Sequence, residues 1–514
     1  MMPDFYLRSL SRRRFLNGLA AGALGSIVTR CENVKVDKKV ELSVEGSGAA
    51  REQWRKPSAF VGLVQSRKSD VRDISYDEIK GMVRKAVDYG GGFDGLIRDG
   101  DVVVLKPNIM CLWIRSTGAK LKPEANGVTT DWRVTRAVVE LVREVNPGGS
   151  VYVMESSAFQ CTELAMQELK YTHEHIPGVT GFICLEESGG YREWDSPLLK
   201  KITLAGGVGL YPDEMKANGS REFYLNRIYA EADVLISLPV LKNHTHTGIT
   251  GALKCVGIGA TPANIYGKLM APDVTSATAR YAKKSGRALG LNREATINHA
   301  PLYLDMWIHD YVLCRPIDFV VTDGLHGLEN GPDISNLTGA KRLEQHQMNM
   351  RLILAGRDAL AVDTVHALLI GMDPDKVDHL VLLSNKNAGC INPARIRVKG
   401  DEVHGLKKPF AMNFERAARK MYSEYSEPEM RISSAVMKNG MLHLSLAVDR
   451  KKISKVEVAV DGHRLDAAVV DGYDNVVLNT RQWPAKKPEI TVNAYDRYMN
   501  CRCQNVDWGR LSRL

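Results

Sequence analysis

The chain has 514 residues, 44% hydrophobic and 25% charged, and a formal net charge of +9 from 69 Lys+Arg against 60 Asp+Glu. That length calls for two or three domains, the composition excludes a disordered, collagenous or coiled-coil chain, and a mean hydropathy of -0.21 excludes a multi-span membrane protein. The charge excess is mild for the length; it suits an anionic ligand, and no Lys/Arg run interleaved with aromatics argues for a nucleic-acid partner.

Residues 1–30 read as an address. Ser11, Arg12, Arg13 and Arg14 precede an apolar stretch from Phe15 to Val28. The stretch is too short to cross a hydrocarbon core of about 30 Å as a helix. A basic start followed by a short apolar run is a signal peptide, here with a twin-arginine pattern. It implies an exported protein, periplasmic or associated with the cell envelope, with the twin-arginine translocase as a partner and no transmembrane span. Cys31 follows Arg30, which makes a poor lipobox, and is a weak candidate for lipidation. The nine cysteines are scattered and contain no C-x-x-C, so nothing supports a 4Fe-4S cluster or a zinc ribbon.

Residues 31–57 are polar and irregular and read as a linker. From 58 to about 415 strand and helix signals alternate. Phe60–Val64 reads as a strand, Tyr76–Tyr89 as an amphipathic helix, and Asp101–Lys106 as a buried strand stopped by Pro107. Thr130 is placed to cap a helix running to Val145, and Ser150–Glu155 is the next strand. Further strands are expected at Asp233–Leu238, Phe319–Thr322 and Arg351–Leu354, and a helix from Asp358 to Ile370 closed by Gly371. This order predicts an α/β domain with a mostly parallel sheet and helices on both faces. Over 425–514 the pattern changes to short alternating strands at Met430–Val436, Met441–Val448, Lys455–Val460, Asn475–Leu478 and Glu489–Ala494. Asn439-Gly440, Asp461-Gly462 and Asp471-Gly472 mark turns between them. This region reads as a small all-β domain of immunoglobulin type.

In an open parallel sheet ligands bind beyond the carboxyl ends of the strands. Here the strand ends carry polar groups: Lys106 and Asn108, Glu155, the run Lys242 to Thr247, and Asp323 to Glu329. The densest segment, Leu241 to Thr261, holds Lys242, His244, His246 and Lys254, the hydroxyls of Thr247 and Thr250, and several glycines. Lysines and backbone N–H groups so arranged suit a phosphate or carboxylate, although neither a Walker loop nor a G-x-G-x-x-G motif is present. His244 and His246 flank one residue of an extended segment. That spacing would chelate a divalent metal if a carboxylate such as Asp323 or Glu329 completed the shell. His299 is a further candidate for the cluster. Asp358 is placed as a helix N-cap. Asp363 lies among apolar residues and must face a lysine, a metal or backbone donors.

The segments VVVLKPNI, GVTTDWRVTRAVVELV, ADVLISLPVLKNHTHTGITGALKCVGIG, DFVVTDGLHGLENGP and LILAGRDALAVDTVHALLIGMDP occur in that order. Together they resemble the family called domain of unknown function 362, over about residues 100–400. The resemblance implies an α/β domain, and exported members with twin-arginine signals are familiar. It implies no particular reaction. Where relatives read lysine-asparagine, this chain has Lys254-Cys255, which opens the question of a reactive thiol.

The reading that follows is an exported enzyme of unknown reaction class acting on a small anionic substrate. His244, His246, Lys242, Lys254 and Asp323 are its candidate catalytic groups. Lys106, Asn108, Thr129, Thr130, Thr247, Thr250 and Asp363 are its candidate ligand-binding groups. His244, His246 and Asp323 are candidate ligands of a divalent metal cofactor. The alternative is a non-catalytic periplasmic binding protein for an anion or a metal.

Overall fold

Unbroken Val/Ile/Leu runs form strands that can be covered on both faces, while amphipathic stretches supply the helices that cover them. The computed structural model bears this out. It describes residues 59–114, 116–157, 162–185, 197–204, 207, 222–262, 304–335, 342–412, 428–449, 451–465, 469–471, 474–480, 487–510 and 512–513. All of these belong to one compact unit, Pro57–Leu514. The signal, the linker, Cys31 and His299 lie outside the described residues.

The main sheet is built from β1 (Ala59–Gln65), β2 (Val102–Pro107), β3 (Ser150–Glu155) and β4 (Gly181–Cys184). A hairpin of β5 (Leu199–Thr203) and β6 (Glu222–Asn226) stands apart. The sheet continues with β7 (Val234–Leu238), β8 (Val240–His244), β9 (Gly248–Ile249), β10 (Phe319–Leu328), β11 (Gln347–Gly356) and β12 (Ile396–Gly400). Its order is β12-β1-β11-β10-β7-β2-β3-β4, with β8 paired to β10 and β9. Neighbours run parallel except at β11, which is antiparallel to both β1 and β10, and at the short β8–β9 pair.

Alternate residues of each strand enter different cores. Val104, Leu235, Val320 and Leu354 belong to one apolar cluster. Their neighbours Val103, Ile236, Val321 and Ile353 belong to the other. The second cluster is covered by α1 (Tyr76–Tyr89), α2 (Trp132–Val145) and α3 (Thr162–Glu168). After α4 (Arg227–Glu231), the first is covered by α5 (Gly251–Gly259), α6 (Leu304–Cys314), α7 (Ala359–Leu369) and α8 (Asp378–Ser384). Helices therefore lie on both faces. No described helix is long and apolar enough to cross a membrane.

Three local expectations are corrected. The N-cap of α2 is Asp131, whose carboxylate accepts from Arg133 N; the Thr130 hydroxyl instead donates to Leu238 O at 2.6 Å. The fourth strand does not stop at Thr322. It runs on to Leu328 because β11 pairs along it as far as Gln347. The segment carrying His244 and His246 is not extended throughout: β8 ends at His244, and His246 lies in the turn that precedes β9 and α5.

The C-terminal region forms two antiparallel sheets on a core of their own, including Leu442, Leu444, Val458, Val476, Ile490 and Val492. One holds β17 (Val469–Asp471), β18 (Asn475–Asn479), β14 (Met441–Val448) and β13 (Met430–Lys438), with β21 (Ser512–Arg513) at its edge. The other holds β16 (His463–Arg464), β15 (Lys455–Val460), β19 (Ile490–Tyr495) and β20 (Cys501–Asn505). Naming the successive strands A, B, C, C′, D, E, F and G gives sheets A-B-E-D and C′-C-F-G, the immunoglobulin order. Asn439 and Gly440 take positive φ, 53° and 74°, and Asp461 and Gly462 take 48° and 76°. Those values make two of the three predicted turns tight hairpins; the third, Asp471-Gly472, runs outside the described residues.

Candidate functional site

β3 and β4 lie to one side of β2, while β7 and β10 lie to the other. The carboxyl ends of β2 and β7 therefore flank the point where the strand order reverses, where ligands of open α/β sheets bind. Lys106, the penultimate residue of β2, lies there fully buried, with Nζ 2.8 Å from Glu155 Oε1 on β3 and 2.6 Å from Pro107 O. The other Glu155 oxygen accepts Ile109 N at 2.6 Å. Asn108 follows. Its backbone N donates to Thr130 Oγ1 at 2.9 Å, and its side-chain oxygen is buried with no partner among the described residues. A Cβ on Gly259, near the end of α5, would come within 2.6 Å of both Lys106 Nζ and Glu155 Oε1, so only glycine lets this helix approach the pair.

Lys242 projects from β8 into the buried interior. Its Nζ donates to the carbonyls of Val128, at 2.6 Å, and Pro332, at 3.2 Å. Burial lowers its pKa to about 8, opposed by the charges of Cys111, Asp333 and Glu155. Lys254 is buried on α5, and its charge and that of Lys106 act on the Cys255 thiol. Burial nevertheless raises that thiol above its ordinary value, so it is not activated as a nucleophile.

His244 is buried, and its Nδ1 accepts from His246 N at 3.2 Å and Thr247 N at 3.4 Å. His246 is half-buried, with ring centroids 5.9 Å apart. Thr247 Oγ1 donates to Ile249 O at 2.8 Å, and the Thr250 hydroxyl is buried with no partner among the described residues.

Asp363, on α7, accepts Ala252 N at 2.7 Å and Leu253 N at 3.0 Å, so it caps α5. Burial raises its pKa to about 7 against the pull of those two amides. One turn further along α7, His366 is fully buried, with neither ring nitrogen in a hydrogen bond among the described residues. Burial lowers its pKa to about 3, the nearby Lys242 carbonyl opposing. Asp358 is the expected N-cap of α7, accepting Ala361 N at 2.9 Å.

Glu124, Ala125, Asn126 and Arg133 form one wall of a cavity, and the segment from Asn126 to Asp131 that connects them is held by the predicted residues. Lys242 holds Val128 O. Thr129 Oγ1 accepts from Asn126 Nδ2 at 2.7 Å, and Thr130 reaches Leu238 O. Asp323 accepts Asp131 N at 2.8 Å and Leu325 N at 2.9 Å. Burial and the neighbouring Asp131 raise the Asp323 carboxyl to about 7.

The cavity has a volume of about 640 Å³, within the range of small-molecule sites. Its lining includes Arg72, Lys120, Lys122, Arg133 and Arg342 against Asp70, Glu124 and Glu344. Arg72 pairs with Asp70, Lys120 with Glu168 and Arg133 with Asp131. Among the described residues, Lys122 and Arg342 form no ion pair. Asn126 and His326 also line it. None of these cavity residues was singled out by sequence reasoning. His326 sits in the DGLHGLE strand end, and the others come from separate loops.

His244, His246 and Asp323 are not brought into one ligand set. Asp323 pairs opposite Val240, four residues before His244 on β8, and both its oxygens accept amides. Among the described residues no group of three or more His, Cys, Asp or Glu is placed to hold a metal ion. Glu329 accepts Ala411 N at 2.9 Å.

The ordered α/β sheet and the Lys242–Thr261 segment define a known class. Residues 103–367 match the model of the family described as Domain of unknown function (DUF362). The chain belongs to that family. Among solved structures it is similar to the lactate racemase apoprotein from Thermoanaerobacterium thermosaccharolyticum, with a TM-score of 0.29 and 11% sequence identity. The match covers 59% of this chain and 55% of that one, so this chain spans about half the length of that protein. No curated protein matches.

Proposed function

We propose that this is an exported enzyme acting on a small anionic substrate, held at the carboxyl ends of the parallel strands. The observation that carries the reading is the cavity's lining of five cations against three carboxylates, with Lys122 and Arg342 outside any ion pair among the described residues. An anion there would find two cations that no carboxylate among the described residues pairs with. Lys242, which holds the wall segment at Val128 O, is an amine close to neutral titration, the state a proton-transfer group needs. Lys106, Lys254 and His244 extend the same buried polar layer. Export rests on the twin-arginine pattern over 1–30.

Calorimetric titration of the full chain with inorganic phosphate tests the reading. Phosphate is expected to bind the wild type, and Lys122→Met/Arg342→Gln is expected to weaken it about tenfold or more, equivalent to about 1.4 kcal/mol. No heat with the wild type, or equal affinity in both, would remove the cavity as the anion site. Phosphate binding without turnover of any small phosphate or carboxylate would favour the binding-protein alternative.

A further inference from the structure

Among the described residues His326 is the one imidazole that lines the cavity. It lies in the second half of β10, where the pairing with β11 slips between Gly324 and His326. Such a bulge re-aims a side chain, and bulges concentrate beside active sites. The ring's Nδ1 is hydrogen-bonded to Ala125 O in the loop before α2. A carbonyl only accepts, so in the neutral ring Nδ1 carries the proton and the open lone pair is on Nε2. No partner among the described residues engages Nε2.

The groups around the ring keep it neutral at pH 7. Burial holds its pKa below the ordinary histidine value, and Arg72 acts the same way. The Ala125 carbonyl, Asp70 and Asp131 oppose them. Arg133, Lys122 and Arg342 add positive charge to the same cavity.

We propose that His326 is the acid–base residue of the cavity, its Nε2 exchanging a proton with a small carboxylate or phosphate that carries a dissociable hydrogen. The ligand's bond to hydrogen breaks, the electron pair stays on the ligand, and the proton moves to Nε2. Lys122 and Arg342 face the charge that develops, and the reverse transfer restores the neutral ring. This inference rests on the reading of the cavity as an anion site.

Diethyl pyrocarbonate, which acylates unprotonated imidazole, tests it on the full chain with peptide mass spectrometry as the readout. His326 is expected to be modified at pH 7. Inorganic phosphate at ten times its Kd is expected to slow that modification about tenfold, the factor that simple occupancy gives. Failure to modify His326 at pH 7 would overturn the proposal. So would modification at a rate that phosphate leaves unchanged, while calorimetry still shows phosphate binding that Lys122→Met/Arg342→Gln weakens. That second result would leave the anion site standing and remove only His326. Absence of phosphate binding to the wild type would remove the anion site and this role with it.

Discussion

His366 is a fully buried imidazole whose ring nitrogens have no hydrogen-bond partner among the described residues. Such a group is neutral in the fold, because charging it would leave a desolvated cation. Its pKa is about 3 in the fold and about 6.5 when the chain unfolds. The sign follows. Below about pH 6.5 the unfolded chain binds a proton that the folded chain refuses, so stability falls as pH falls toward 3. His366→Leu removes that term. Its urea-unfolding free energy between pH 6.5 and 4 is expected to fall less steeply than wild type, by about 1.4 kcal/mol per pH unit. Identical slopes would show that the ring is solvated or bonded. Lys106 is the opposite case, a fully buried cation tolerated because Glu155 and a carbonyl meet its ammonium group at once.

At the scale of elements, the segment from Lys242 to Gly259 depends on how α5 begins. Thr250 offers no side-chain cap, and the helix instead borrows Asp363 from α7. For that carboxylate to reach the Ala252 and Leu253 amides, Gly251 must take φ +57° and have no Cβ, since one would lie 2.5 Å from Asp363 Oδ2. Gly251→Ala is therefore expected to destabilise the protein by about 3 kcal/mol or more, through strain and the loss of a buried cap. Gly81, inside α1, has open space around its Cβ position. Gly81→Ala is expected to stabilise the protein by about 1 kcal/mol. Thermal melts of the two variants should move in opposite directions. A shared direction would contradict the role assigned to Gly251.

At the scale of the whole molecule, the immunoglobulin-type module has its own core yet is tied to the α/β body. Met499, in the turn between β19 and β20, is buried in the body's core cluster. Beside it the buried Lys407 brings its Nζ to Tyr498 O and, at 2.7 Å, to Asn500 Oδ1. Arg497 reaches Asp375 at 2.5 Å and Asp373 at 3.3 Å, and Arg464 pairs with Glu402. The exposed pairs add little, whereas the buried lysine and methionine add most. Calorimetry of the wild type is expected to show one unfolding transition. The Lys407→Ala/Met499→Ala variant is expected to show two, because each core then melts alone. A single unshifted transition in the variant would mean that the docking contributes nothing to cooperativity.

Much of this protein was legible along the chain. Helix α1, strands β3, β14 and β15 and the turns at Asn439 and Asp461 coincide with the bounds read from periodicity, caps and glycines, because those signals act over a few residues. The family was legible for the same reason, since its motifs are contiguous runs at strand ends. The residues around Lys242 were legible as a cluster, but not as the support of a wall. Periodicity could not place β11 antiparallel between β1 and β10, since a strand's direction is set by its partners. Nor could it show that Asp323 would spend both oxygens on amides, that Asp363 would cap a helix more than a hundred residues before it, or that Arg72, Lys122, His326 and Arg342 would share one cavity. The sequence by itself determined the elements, the order of the two architectures and the family, because these rest on local propensity and hydrophobic period. Only the tertiary structure decided which charges meet each other and which remain open to a ligand, because burial and pairing depend on distances that neighbours along the chain do not set.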